Sequence, residues 1–132
     1  MKDNISDMLT RIRNGQKANL LEIKLFWPTP KFCLVILNLL QREGFIRGIK
    51  FGIFNKKYCV VVLLKYSELQ KPLISKIERI SKPGKRIFCS GKVFWNLNTG
   101  KGVFLIATSK GLLTDTEARA ANVGGEIICY IE

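Results

Sequence analysis

Ala107-Thr-Ser-Lys-Gly-Leu-Leu-Thr-Asp-Thr-Glu-Ala-Arg-Ala-Ala-Asn-Val-Gly-Gly-Glu-Ile-Ile-Cys-Tyr-Ile131 is the stretch from which the fold is read. It holds a polar loop, Thr108-Ser109-Lys110-Gly111, then a short helix, then a Gly124-Gly125 turn that returns the chain as the strand Glu126–Ile131. Thr114 precedes the helix with Glu117 three residues on, the pattern of a capping box in which each side chain satisfies a free backbone N–H. Ala118, Ala120 and Ala121 favour helix, and Asn122 with the two glycines stops it. A loop of small hydroxyls and a lysine is thus set between a strand, a capped helix and a tight turn.

Upstream of that loop, Val103–Ala107 reads as a buried strand. Asn96–Gly102 is a turn region, and Lys92–Trp95 and Arg86–Cys89 are short strand candidates. Ser81-Lys82-Pro83-Gly84 is a turn, and Pro72 opens a short helix with Leu73, Ile74, Ile77 and Ile80 inward. Nearer the N-terminus, Ile5, Met8, Leu9 and Ile12 fall on one helix face, which Asn4 or Ser6 caps and Asn14-Gly15 ends. Arg11, Arg13 and Lys17 project away from that face. Leu20–Trp27 alternates as a strand. Thr29-Pro30 reads as N-cap and first position of a helix that runs to Glu43, with Gly44 just beyond. Phe45–Phe54 and Tyr58–Tyr66 are strand-like, joined by Asn55-Lys56-Lys57 as a hairpin. The expected class is α+β in two small lobes. Residues 1–68 form an αβαββ lobe, and residues 69–132 form a mainly β lobe with short helices.

The chain of 132 residues is 47% hydrophobic, enough to supply a core. Its purely apolar runs, such as Phe32–Leu37, are far too short to span a membrane. The start, Met1-Lys2-Asp3, has neither a signal-peptide core nor an arginine-rich leader, so the expectation is a protein made where it works or already processed. The net charge of +12, from 22 Lys and Arg against 10 Asp and Glu, points to a polyanionic partner. Between Lys71 and Lys110 there are nine basic residues (Lys71, Lys76, Arg79, Lys82, Lys85, Arg86, Lys92, Lys101 and Lys110) and one acid, Glu78. From Gly111 onward the balance reverses. Cys33, Cys59, Cys89 and Cys129 each lie in an apolar run without C-x-x-C spacing, and the chain has no histidine. They read as small buried hydrophobes in a reducing compartment, not as a metal site.

Hydroxyls and amides of the Thr108–Gly111 loop suit hydrogen bonding to RNA, Lys110 supplies charge, and Gly111 permits close backbone approach. Lys82-Pro83-Gly84-Lys85-Arg86-Ile87-Phe88 adds cations for phosphates and a ring for stacking. Both segments also fit a blander account, an ordinary surface turn and a core aromatic. Catalytic readings are weaker. Ser109-Lys110 lacks S-x-x-K spacing and a partner motif. Gly100-Lys101-Gly102 lacks phosphate-loop spacing. Asp115 and Glu117 are explained by their place in the first turn of a helix. No catalytic residues, metal or cofactor are expected.

The residues also resemble a known family over essentially the whole chain. The motifs are Asp7-Met-Leu-Thr-Arg-Ile-Arg-Asn-Gly15, Arg42-Glu-Gly-Phe-Ile46, Leu64-Lys-Tyr66 and Ile77-Glu-Arg-Ile-Ser-Lys-Pro-Gly-Lys-Arg-Ile87. They continue with Thr108-Ser-Lys-Gly111, Thr114-Asp115 with Glu117-Ala-Arg119, and Gly124-Gly-Glu-Ile-Ile-Cys-Tyr130. In this order they resemble universal protein eight of the small ribosomal subunit. The resemblance implies a non-enzymatic binder of a hairpin in the central domain of small-subunit ribosomal RNA, acting early in assembly. It implies that Lys85, Arg86, Phe88, Thr108, Ser109, Lys110, Gly111, Gly124, Gly125 and Glu126 serve the main RNA site. Thr10, Arg11, Asn14 and Lys31 would approach a second RNA segment. Implied partners are that RNA and neighbouring small-subunit proteins, protein five among them, with no membrane.

The chain departs from the family pattern at four places. Ala107 stands for a usual serine and Phe88 for a usual tyrosine, Ser90–Thr99 matches poorly, and Glu132 ends the chain with a charge. The abundance of Cys, Phe, Ile and Leu looks organellar, which sets the expected location as a mitochondrion ahead of a plastid or the bacterial cytoplasm. The alternative is a DNA-binding or regulatory module, since charge alone does not distinguish nucleic acids.

Overall fold

A computed structural model describes residues 3–26, 29–90 and 102–132. The elements are α1 (Asn4–Lys17), β1 (Glu22–Phe26), α2 (Lys31–Arg42), β2 (Ile46–Phe54), β3 (Lys57–Leu64), β4 (Ile77–Arg79), β5 (Phe88–Cys89), β6 (Val103–Thr108), β7 (Gly111–Thr114), α3 (Asp115–Ala121) and β8 (Gly125–Ile131). They divide into two compact units, Asn4–Ile74 and Ser75–Glu132, the second including Asp3. The first is mixed helix and strand and the second mainly strand, as the α+β reading requires. Trp27, the strand expected at Lys92–Trp95 and all but the last residue of the Asn96–Gly102 turn lie outside the described residues.

In the first unit, Met8, Leu9 and Ile12 bury the expected face of α1. The helix passes Asn14-Gly15 and ends at Lys17. Gly15 serves packing here, because a Cβ would stand 2.6 Å from Ile23 Cγ2 and 3.0 Å from Leu64 Cδ1. Gln16, buried beside it, donates to the Lys65 carbonyl and accepts from Ile74 N–H, which holds the helix end. The strands lie in the order β1-β3-β2, all antiparallel, with Val60 and Val62 of the central strand fully buried. Asn55 and Lys56 turn the β2–β3 hairpin with φ of 51° and 64°, and Lys57 already pairs with Phe54. Positive φ at both turn residues matches the right-handed twist of the strands.

α2 buries Cys33, Ile36, Leu37, Leu39 and Leu40. Its N-cap is Pro30, whose ψ of 143° is not helical, and no side chain caps it. Thr29, expected in that role, has its hydroxyl buried without a hydrogen-bond partner. A residue before proline is pushed toward extended backbone, and here the proline itself is extended, so the helix starts one residue late.

In the second unit, β8 is paired on both edges: β6 along one, β4 and β5 along the other. The helix expected from Pro72 does not form. Pro72 makes an isolated bridge to Tyr66, and Ile77–Arg79 pairs with Ile131–Cys129 as β4. Pairing gives the open edge of β8 its backbone partners, while so short an isolated helix has little stability of its own. β7, unforeseen, folds back from the Thr108–Gly111 turn along β6. α3 carries the expected capping box: Glu117 N–H donates to Thr114 Oγ1 at 3.2 Å and Thr114 N–H to Glu117 Oε1 at 3.1 Å. Asn122 ends it in the left-handed region. Ala118 packs this helix on Ile106, with Cys89, Phe104, Leu113 and Val123 around them.

Arg79 pairs with Asp3 at 3.4 Å and donates to the Ile128 carbonyl at 2.7 Å. Burial pushes the Cys129 thiol up from an ordinary 9.0 to about 12, with the Arg79 charge opposing. Well below pH 9 the thiol is protonated in both folded and unfolded chains and contributes nothing to pH dependence. Between pH 9 and 12 the unfolded chain loses a proton that the folded one keeps, so stability falls as pH rises. Cys129→Ala should therefore show a smaller drop in melting temperature between pH 8 and 10.5 than the parent chain; equal drops would refute the assignment.

Candidate nucleic-acid interface

The backbone register of the second unit brings most of the expected main-site residues together. Phe88 on β5 pairs with Glu126 on β8, which pairs with Ala107 on β6, which pairs with Leu112 on β7. Residues directly opposite in neighbouring strands point to the same face, so these four make one transverse row. α3 packs through Ile106, from the opposite side of the sheet to Ala107. The row is left uncovered at its β5 end, where Phe88 is 68% exposed. A large aromatic on an edge strand that the unit's own core does not use is an open stacking face.

Beside the ring, Arg86 reaches Glu126 with Nη1–Oε2 at 2.8 Å. Glu126 is the more sheltered partner, its side chain 16% exposed against 53% for Arg86. The carboxylate thus orients the guanidinium rather than presenting its own charge. The preceding turn is fixed by Ser81, which is wholly buried. Its hydroxyl accepts from Ile87 N–H at 2.8 Å and donates to the Ile87 carbonyl at 3.0 Å. Lys82 and Lys85 exchange backbone hydrogen bonds above this clamp, and both side chains are exposed. Ser81 was not foreseen as a site residue; a serine before a turn carries no sequence signal for burial.

At the far end of the row stands the β6–β7 hairpin. Thr108 pairs with Gly111, leaving Ser109 and Lys110 as the two exposed turn residues. The Thr108 hydroxyl donates to the Gly111 carbonyl at 2.8 Å and accepts from Lys110 N–H at 3.1 Å. Its proton is spent inside the turn, so Thr108 shapes the loop. Ser109 keeps its hydroxyl outward. Gly111 holds φ +105°, a value costly for any residue with a Cβ. Gly125 has a different reason: a Cβ there would run into the Ala107 carbonyl and stand 3.2 Å from Thr108 Cα. Gly124 precedes it, half-buried, in the link from α3.

The Cys89 thiol lies 3.9 Å from the Gly125 carbonyl, and burial pushes its pKa up, so it is no activated nucleophile. No base accompanies Ser109 and Lys110 among the described residues. Lys92 and Lys101 of the basic run lie outside them.

The remaining expected residues belong to the first unit. Thr10, Arg11 and Asn14 share the side of α1 away from its buried stripe. Arg11 is held by Asp7 at 3.2 Å, one helical turn back. Arg13 Nη2 donates to Thr10 Oγ1 at 3.4 Å. Lys31 opens α2, exposed, and no described hydrogen bond or ion pair links it to α1.

Comparison with known proteins identifies the family of the chain. The family described as Ribosomal protein S8 matches residues 3–131. A protein of Baumannia cicadellinicola named small ribosomal subunit protein uS8 is 47% identical over 99% of this chain and 98% of its own length. The Geobacter metallireducens protein of the same name is 40% identical, and uS8c of Phaeodactylum tricornutum 41%, both over 99% of this chain and 98% of their own lengths. The chain belongs to the ribosomal protein S8 family and is a structural ribosomal protein, not an enzyme. These relatives are bacterial, with one from a plastid, and they lend no support to the mitochondrial expectation.

The two loop glycines are expected to differ on replacement. Gly125→Ala must displace the β6 backbone, at a cost of about 1–3 kcal/mol, and should raise amide exchange across the β6–β8 ladder at Ala107 and Thr108. Gly111→Ala meets open space and costs only its backbone strain, on the order of 1 kcal/mol or somewhat more. Its effect on exchange should stay within the β6–β7 turn.

Proposed function

We propose that this member of the ribosomal protein S8 family binds a hairpin in the central domain of small-subunit ribosomal RNA and supports early assembly of the subunit. The observation that carries the reading is the transverse row from Phe88 through Glu126 to Ala107, bounded by two outward-facing polar turns. Phe88 offers a ring to an unstacked base. Lys82, Lys85 and the oriented Arg86 meet phosphates on one side, and Ser109 and Lys110 meet the backbone on the other. Gly111 and Gly124 keep side chains out of the way of that approach, Gly125 lets β6 lie close against β8, and Thr108 holds the turn in shape. Thr10, Arg11, Asn14 and Lys31 of the first unit are assigned to a second RNA segment. Neighbouring small-subunit proteins, protein five among them, complete the expected surroundings.

RNA is favoured over DNA because stacking on an exposed ring needs a base free of a regular duplex, as in the loops and bulges of a structured RNA. With about four to six phosphates neutralised, log affinity should fall against log salt with a slope of roughly −3 to −5. Equal binding to duplex DNA of the same length at physiological salt would favour the regulatory alternative.

Residue by residue, Ser109→Ala should cost about 1–2 kcal/mol of RNA binding, since it leaves an RNA polar group unpaired, with no change in melting temperature. Lys110→Ala should weaken binding and make the salt slope shallower by about 1. Filter binding or calorimetry with the ribosomal hairpin reads both. Parent-like affinity for Ser109→Ala would leave the basic turn and Phe88 to account for binding without the hydroxyl.

A further inference from the structure

We infer that the outer end of the β2–β3 hairpin is a separate RNA-binding element, a stacking platform for an unpaired RNA segment. It uses residues that the proposal above does not. On the helix-covered face of the first sheet, Ile49, Phe51 and Ile53 of β2 stand opposite Val62, Val60 and Tyr58 of β3. Val60 and Val62 are fully buried. Beyond them the hairpin outruns its cover, leaving Phe51 67%, Ile53 68% and Tyr58 65% exposed. Together with Gly52 and Cys59 they line a groove of about 470 Å³, within the range of ordinary ligand clefts.

The opposite face of the same end is aromatic too. Phe26 and Phe54 lie with ring centroids 6.2 Å apart, and Lys24 Nζ sits 4.9 Å from the Phe54 centroid. The hairpin tip therefore presents rings on both sides.

Charge identifies the occupant. From Gly44 to Ser67 the chain has five basic residues, Arg47, Lys50, Lys56, Lys57 and Lys65, and no acidic one. Arg47 is engaged by the Leu64 carbonyl and Lys50 by Glu22 at 3.8 Å. Lys56 and Lys57, at the tip, are exposed and have no carboxylate partner among the described residues. The cores of protein–protein interfaces are depleted of lysine, whereas uncompensated lysines beside open aromatic faces suit a polyanion with free bases. Bases within a duplex are already stacked, so the fitting ligand is single-stranded.

The test uses the full chain and a fluorescein-labelled oligoadenylate of twelve nucleotides, followed by anisotropy. Phe51→Leu with Tyr58→Leu keeps the apolar surface but removes the ring faces. It should weaken oligoadenylate binding roughly tenfold while leaving the ribosomal hairpin bound as before. Phe51→Tyr with Tyr58→Phe keeps the faces and should bind oligoadenylate like the parent. Lys56→Gln with Lys57→Gln should make the oligoadenylate salt slope shallower by roughly 1 to 1.5, and Ser109→Ala should leave it unchanged.

Unchanged oligoadenylate affinity in the double leucine variant overturns the inference. So does loss of a neighbouring protein from reconstituted particles with oligoadenylate binding intact, which would make the groove a protein dock. A 4-thiouridine oligonucleotide cross-linked to the parent chain gives an answer independent of variant folding: adducts within Ile46–Leu64 are expected, and adducts confined elsewhere overturn it.

Discussion

The carbonyl of Ala107 occupies the space where a side chain on residue 125 would begin, and the second unit is arranged around that approach. It brings Thr108 opposite Gly125 and Ala107 opposite Glu126, which sets β6 against β8 where the chain turns outward. β8 in turn aligns β5, so that Phe88 falls beside Glu126. A residue without a side chain at position 125 is thus a condition for this alignment of strands at the site. The irregularity in β6–β8 pairing between Leu105 and Ile106 lies further along the ladder and leaves the register at the site end intact.

Given that register, the turns on either side are made rigid by hydroxyls used inwardly. Thr108 closes the β6–β7 turn and Ser81 closes the base of the Lys82–Lys85 turn, each with one bond donated and one accepted. A side chain bonding locally to backbone competes with regular structure and is well suited to fixing a turn. The conformational freedom of these loops is therefore restricted before any partner arrives, which lowers the ordering cost of binding.

Much of this was legible in the residues. The capping box at Thr114, the end of α3 at Asn122, the Gly44 stop and the face of α1 follow from local chemistry and appear as read. What local chemistry misjudged was settled by distant partners. Pro72 through Ile80 has an apolar spacing compatible with a helix, yet β8 supplies strand pairing to Ile77–Arg79 from residues 129–131, and the strand forms there. Gly15 reads as a helix stop and is a packing contact with Ile23 and Leu64. Thr108 and Ser109 look equivalent as letters, but hairpin geometry turns one hydroxyl inward and leaves the other out. The family resemblance was legible from motif order, whereas the mitochondrial preference read from composition finds no support among the bacterial and plastid relatives.

The same geometry explains how a net charge of +12 becomes a directed field. Asp3, Asp7, Glu22, Glu78 and Glu126 each sit against a cation, and Asp115 and Glu117 are engaged by backbone N–H groups. Exposed ion pairs such as Asp7–Arg11 add little stability, about 0–1 kcal/mol. Their larger effect is to cancel charge along the helix and strand surfaces where they occur. Of the lysines without a described carboxylate partner, Lys56, Lys57, Lys82, Lys85 and Lys110 lie at or beside hairpin and loop turns, where a residue has no core to fill and its charge stays in solvent. Acids engaged beside cations or backbone N–H groups, and cations left at these turns, concentrate positive potential where the chain also exposes Phe88, Phe51 and Tyr58. Charge draws the polyanion in, and the rings then select for bases that are free to stack.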